Sequence, residues 1–169
     1  MTLPIVLWPS AVLDTPTKPV TDFAVLPALL EQMEASMREA DGIGIAANQV
    51  GLPLRLAIVG REDGSWFEIV NPVFLAKEEP VVLDEGCLSL PGEWHDVSRF
   101  RKVRVRYQDR NGAFHEVEAE NKLAHVLQHE IDHLDGRVYA FHLAPLKKKL
   151  VRERMLKRQK VRARRPDDE

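Results

Sequence analysis

The string Gln128-His129-Glu130-Ile131-Asp132-His133 pairs two imidazoles with a carboxylate at a spacing that can do metal chemistry. Helix positions i and i+4 lie on one face, with Cβ atoms about 5–6 Å apart, so His129 and His133 can reach one divalent ion. Glu130, beside the first imidazole, can act on water held by that ion. A catalytic site of this kind needs a third protein ligand and an open position, whereas a structural site is closed by four ligands. The helix must therefore be completed from elsewhere in the chain, or the histidines are only surface residues.

Two familiar completions fail on spacing. A metzincin would continue to a third histidine where this chain has Tyr139. A gluzincin would use a glutamate about 20 residues on. Glu153 stands there, but as the lone acid of a basic stretch, where a solvated i,i+4 ion pair with Lys149 or Lys157 explains it. The remaining candidate is Cys87 in Glu85-Gly86-Cys87-Leu88-Ser89-Leu90-Pro91. A lone cysteine can simply be a small buried hydrophobe, but the preceding glycine and following Ser-x-Pro suggest a specially shaped backbone. His125, four residues before His129, is a further geometric possibility that reads better as a pocket rim. Gly42, Gly44 and Ala47 superficially fit a dinucleotide-binding fingerprint. That motif follows a strand and opens a helix, and here the expected order is the reverse.

The elements needed to position these groups can be read from periodicity. Leu26, Leu29, Leu30, Met33 and Met37 predict an amphipathic helix over about 25–40, capped by Asp22 and ended by Asp41-Gly42. Residues 42–51 read as an apolar loop whose small residues allow close backbone approach. Strands are expected at 54–59, 66–75, 81–83 and around 103–107, with a hairpin turn at Asn111-Gly112 into 113–119. Leu123, Val126, Leu127, Glu130, Ile131 and Leu134 predict the helix that faces its histidines inward, stopped by Asp135-Gly136. A last helix starts near Pro145. This pattern predicts an α+β fold, with mixed or antiparallel sheets around a central metal-binding helix and helices near both ends.

At 169 residues and 44% hydrophobic content, a single globular core is expected. No apolar run approaches a membrane span, and the first residues lack a basic segment and cleavage site, so neither a membrane association nor a secretory signal is expected. One cysteine cannot form an internal disulfide, which points to a reducing, cytoplasmic compartment. The net charge of −2 conceals a division. Residues 1–146 carry 13 basic and 22 acidic side chains, whereas residues 147–169 carry 11 and 4. We therefore expect a catalytic region over 1–146 and a basic C-terminal helix or tail over 147–169, suited to a polyanion. A polyanion-binding protein with a structural metal is the rival reading, but only three good ligands are visible.

Three strings together resemble the signature motifs of the peptide deformylase family: Gly42-Ile43-Gly44-Ile45-Ala46-Ala47-Asn48-Gln49, Glu85-Gly86-Cys87-Leu88-Ser89 and Gln128-His129-Glu130-Ile131-Asp132-His133. The likeness extends weakly to Pro19-Val20-Thr21-Asp22-Phe23 and covers most of the chain to about Pro145. It implies hydrolysis of the N-formyl group from N-formylmethionine of newly made polypeptides, with release of formate. It places the metal ligands on Cys87, His129 and His133, the general acid/base on Glu130, and the oxyanion donors on the Gln49 amide and the Leu88 backbone N–H. It implies ferrous iron as cofactor, with zinc, nickel or cobalt as substitutes. Ile43, Gly44, His125 and Val126 should line the methionine pocket. Lys122 and His125 depart from the bulky apolar residue and the arginine that many members carry there. Trp94 either walls that pocket or packs elsewhere. Arg99 and Asp41 are expected to brace two loops as partners, and Asp132 either orients a ligating histidine or faces solvent. The basic tail would dock on ribosomal RNA, and a bacterial cytoplasm is the expected location.

Overall fold

A computed structural model describes residues 1–164 of the chain. Its centre is a five-stranded antiparallel sheet in the order β1-β2-β3-β4-β5, formed by Gly44–Ala46, Leu56–Gly60, Trp66–Glu85, His95–Gln108 and Phe114–Glu120. Three longer helices accompany it: α1 (Leu26–Glu39), α2 (Asn121–Leu134) and α3 (Pro145–Arg164). All neighbouring strands are antiparallel, and one isolated parallel bridge joins Lys18 to Leu54.

The short strand β2 explains how the layers stack. Its run Leu56-Ala57-Ile58-Val59 is buried throughout, as a strand covered on both faces must be. Leu56 and Ile58 join Leu30, Met33 and Met37 of α1 in one core cluster. Ala57 and Val59, pointing the other way, join Ala124, Val126, Leu127 and Ile131 of α2 in another. The helix bearing the histidines is thus clamped against a sheet face. A third cluster brings Val151 and Met155 of α3 against Trp8, Leu13, Leu90 and Tyr139.

The expected α1 is shorter than its periodicity suggests, because Phe23–Val25 form a separate 3-10 turn, which Asp22 caps by accepting from the Ala24 N–H. The stretch read as an apolar loop contains β1, whose pairing with β2 runs from Gly44↔Val59 to Ala46↔Ala57. The two strands expected at 66–75 and 81–83 are one long strand, β3. Asn71 and Glu79 take positive φ values of 51° and 61°, and its register with β4 shifts near Val70/Val73 and Phe74/Ala76. Asn111-Gly112 turns as expected, with Asp109 accepting from the N–H groups of Asn111 and Ala113. Among the described residues, no helix is long and apolar enough to cross a membrane. The last part of the expected basic tail, residues 165–169, lies outside the described residues.

Candidate metal centre and active site

α2 brings His129 and His133 under the end of β3, where Glu85 is the last strand residue and Cys87 sits on the turn that follows. Cys87 Sγ lies 3.3 Å from His133 Nε2, which in turn lies 3.2 Å from His129 Nε2. All three donor atoms fall within 4.8 Å of one another. A tetrahedral ion bound at about 2.3 Å to sulfur and about 2.0–2.1 Å to imidazole nitrogen separates its ligand atoms by roughly 3.3–3.6 Å, so this donor set fits one. Glu130 Oε2 and His133 Nδ1 are buried without a hydrogen-bond partner.

The carboxylate of Glu85 organises the cluster. It is buried, and burial alone would raise its pKa. Hydrogen bonds from His125, His129 and Arg99 outweigh that cost and hold it far below the usual carboxylate range. Arg99 grips it with two N–H groups, at 3.0 Å and 2.6 Å, and His125 Nε2 reaches it at 2.7 Å. The third partner is His129 Nδ1. Because Glu85 is ionised it can only accept, so Nδ1 of His129 carries hydrogen, and Nε2 is the ring nitrogen that faces Cys87 and His133.

Glu130 has the opposite environment. Burial pushes it up to about 7, with the nearby Glu85 charge adding to the rise and His129 and Arg99 opposing it. Its position requires glycine on β1. A Cβ at residue 44 would lie 2.9 Å from Glu130 Oε1 and 3.1 Å from Val126 Cγ1.

Gln49 is fixed at both ends of its amide. Oε1 accepts from Ala46 N–H at 2.9 Å, so Nε2 must point toward Ser89 Oγ, at 3.2 Å, and Cys87 Sγ, at 3.6 Å. Gln49 lies on a 3-10 turn, Ala47–Val50, which also anchors the metal-binding helix, since Asn48 Nδ2 donates to the His133 carbonyl at 2.5 Å. Gln128 secures the other side of α2 by exchanging hydrogen bonds with the backbone of Phe100 on β4, at 2.8 Å and 2.7 Å.

A cavity of about 690 Å³ opens over these groups, within the size range of small-ligand sites. Ile43, Gly44, Gln49, Cys87, Leu88, Trp94, His125, Val126, His129 and Glu130 all line it. His133 lies behind the cluster, 1% exposed. Trp94 walls the cavity, with its ring over Gly86.

The sequence profile described as polypeptide deformylase matches residues 2–149. The chain belongs to the peptide deformylase family. It is 43% identical to the peptide deformylase of Wolinella succinogenes over 94% of its length and 98% of that relative. Its structure resembles the crystal structure of the Legionella pneumophila peptide deformylase with a TM-score of 0.90, at 36% identity, covering 97% of this chain and 99% of that one. The Ehrlichia chaffeensis peptide deformylase in complex with actinonin gives 0.89 at 33% identity, covering 93% and 97%. As a peptide deformylase, the chain is a metal-dependent hydrolase that removes the formyl group from N-formylmethionine of newly synthesised polypeptides.

Several local expectations need correction. Arg99 does not brace Asp41; it pairs with Glu85 and with Asp132, the latter at 2.5 Å. Asp132 neither holds a ligating histidine nor stands free in solvent, since it also meets His142 Nε2 at 2.7 Å. Glu153 lies exposed on α3, outside the Cys-His-His cluster. Sequence reasoning gave no role to Glu85. Its one signal was a carboxylate two residues before the candidate ligand, close enough to serve the same site.

Proposed function

We propose that Cys87, His129 and His133 hold one ferrous ion beside Glu130, and that these residues with Gln49 and Leu88 carry out the deformylation. The observation that carries this reading is the convergence of one sulfur and two imidazole nitrogens on a cavity that also contains a buried, unpartnered carboxylate oxygen. When bound, a divalent ion polarises the formyl carbonyl and lowers the pKa of a coordinated water toward about 7. Zinc, nickel or cobalt can take the same place.

Glu130 accepts the proton of the attacking water and returns it to the departing amine. Burial favours its protonated form, which suits a group that must return a proton as well as take one. The Gln49 Nε2 hydrogen and the Leu88 N–H donate to the oxyanion formed at the formyl carbon; one such donor is commonly worth about 3–4 kcal/mol. Ile43, Gly44, Trp94, His125 and Val126 receive the methionine side chain, with His125 also held on Glu85. The peptide backbone adds beside β1, the first strand of the sheet, as a further strand.

Deformylation is tested by anaerobic assay of the iron-loaded protein on a formyl-Met tripeptide beside Glu130→Gln. Formate release by the wild type and its loss in the variant are expected. Absence of release from the wild type would end the reading.

We also propose that residues 1–146 form the catalytic unit and that the basic segment from 147 onward docks on ribosomal RNA in a bacterial cytoplasm. Lys147, Lys149, Arg152, Lys160 and Arg164 are exposed along α3. Truncation would strip Val151 and Met155 from the core, so charge reversal at Lys147, Lys149 and Arg152 is the cleaner test. Ribosome co-sedimentation should weaken in the variant and depend steeply on salt in the wild type. Unchanged binding would contradict the docking role.

A further inference from the structure

The segment that carries Cys87 and Leu88 runs on to Trp94, and Leu90, Gly92, Glu93 and Trp94 all line the same cavity. Two hydrogen bonds fold it into successive turns, from the Leu90 N–H to the Cys87 carbonyl at 3.0 Å and from the Glu93 N–H to the Leu90 carbonyl at 3.2 Å. Leu90 is its first anchor, fully buried in the cluster that holds Val151 and Met155 of α3. Trp94 is seated differently. It is 67% exposed, and its ring leans on Gly86, where a Cβ would lie 2.8 Å from Cζ2 and Cη2. The ring therefore stays where it is only as far as its backbone is fixed.

Glu93 is the second anchor. It is 4% exposed, and a carboxylate is buried to that extent only when it is paired. Arg154 Nε lies 3.1 Å from both of its oxygens and Nη2 lies 2.6 Å from one, while Arg158 Nη1 donates at 2.7 Å. His95 Nε2 adds a contact at 3.2 Å. Residues 154 and 158 stand one helical turn apart, so both arginines close on the carboxylate from one face of α3. Gly92 lets them close. Its φ is +79°, and a Cβ there would lie 3.2 Å from Arg158 Nη2. The backbone leading into Trp94 is thus fitted to α3.

We infer that Glu93, gripped by Arg154 and Arg158, is a positioning residue for the wall of the methionine pocket and acts through Trp94. The inference rests on the deformylation reading above. The catalytic groups all lie within 1–146, and α3 lends two side chains that hold one wall in place. Leu90 decides which kinetic step should feel the clamp. It stands between Glu93 and Leu88, and the core holds it independently of the carboxylate. Loss of the clamp therefore frees Trp94 and leaves the Leu88 N–H in position. A wall that meets substrate and transition state alike sets KM, whereas a displaced oxyanion donor would lower kcat.

The test measures kcat and KM of metal-loaded protein on a formyl-Met tripeptide for the wild type, Glu93→Gln, Trp94→Ala and the double variant, below the unfolding temperature of each. Glu93→Gln and Trp94→Ala should each raise KM roughly five- to tenfold, the scale of losing part of an apolar side chain's burial, with kcat within about twofold. The double variant should be no worse than Trp94→Ala, because the clamp acts only through the ring. Arg154→Lys keeps the charge and loses the fork, so it should show part of the same rise, and it carries the test where Glu93→Gln does not fold. Fluorine NMR of fluorotryptophan-labelled protein reads the wall without turnover. The Trp94 resonance, identified by its absence in Trp94→Ala, should shift in Glu93→Gln and Arg154→Lys. That of Trp8, which shares the core of Val151 and Met155, should stay in place. KM effects that multiply in the double variant, a fall in kcat at constant KM, or a Trp8 shift without a Trp94 shift would make the clamp a structural pin of α3 and overturn the proposal. No turnover by the wild type overturns the deformylation reading, and the fluorine spectra then decide the clamp alone.

Discussion

Glu85 receives the Nδ1 hydrogen of His129, and so decides which ring nitrogen that imidazole turns toward Cys87 and His133. The carboxylate can do this because Arg99 and His125 keep it ionised in a buried position. Carboxylate–histidine pairs of this kind fix the tautomer and raise the basicity of a metal ligand.

Replacing Glu85 by glutamine should therefore weaken metal binding by about 10–100-fold, the usual cost of losing such a partner. Competition against a chelator, followed by metal analysis, reads this directly. Glu85→Ala should in addition destabilise the fold by roughly 1–3 kcal/mol, because it strips the buried Arg99 of one of its two carboxylate partners and leaves Asp132 as the other. Retention of wild-type metal affinity in Glu85→Gln would show that His129 is oriented by other contacts.

The legible part of the site was the part encoded by local spacing. His129 and His133 follow from helical periodicity, and the β4–β5 hairpin from Asn111-Gly112 and the alternation before it. β1 was illegible because three small or apolar residues have no period; pairing with β2 makes them a strand. β3 was split because Pro72 and the positive-φ residues Asn71 and Glu79 interrupt its alternation. The Arg99 contacts were misassigned for a related reason. Val81 pairs with Arg99 and Glu85 with His95 across two long strands, and this register carries Arg99 toward Glu85 rather than Asp41.

Gly44 supplies a second prediction. A methyl group there would crowd Glu130 Oε1 at 2.9 Å without touching a metal ligand. Gly44→Ala should lower kcat by roughly 100-fold, the scale of a displacement near 1 Å, with metal content unchanged. Loss of metal in this variant would mean that the strain spreads through α2 instead of stopping at the carboxylate.

The partner of α3 makes stability depend on acid. Hydrogen bonding from Arg154, working against burial, lowers Glu93 from the ordinary value of 4.5 to about 2, with Arg158 and His95 contributing. A depressed folded-state pKa contributes stability that is complete above about 4.5 and is lost as pH falls toward about 2. Thermal midpoints of the wild type should therefore fall more steeply than those of Glu93→Gln across this window, and the two should differ most at neutral pH. Parallel pH curves would remove the clamp assigned to Glu93.

Cys87 and Glu153 separate this centre from a gluzincin arrangement. Cys87→Ser should abolish most turnover, whereas Glu153→Ala, on the exposed face of α3, should leave it within about twofold, as surface changes usually stay within about 0.5 kcal/mol. The reverse pattern in formate release would move the third ligand from sulfur to carboxylate.

X-ray absorption at the metal edge tests the centre most directly, using protein loaded with a single equivalent of iron under anaerobic conditions. One sulfur at about 2.3 Å, the usual metal–thiolate distance, and two imidazole nitrogens are expected, with the sulfur absent in Cys87→Ser and retained in Glu130→Gln. A shell of nitrogen and oxygen only in the wild type would contradict it.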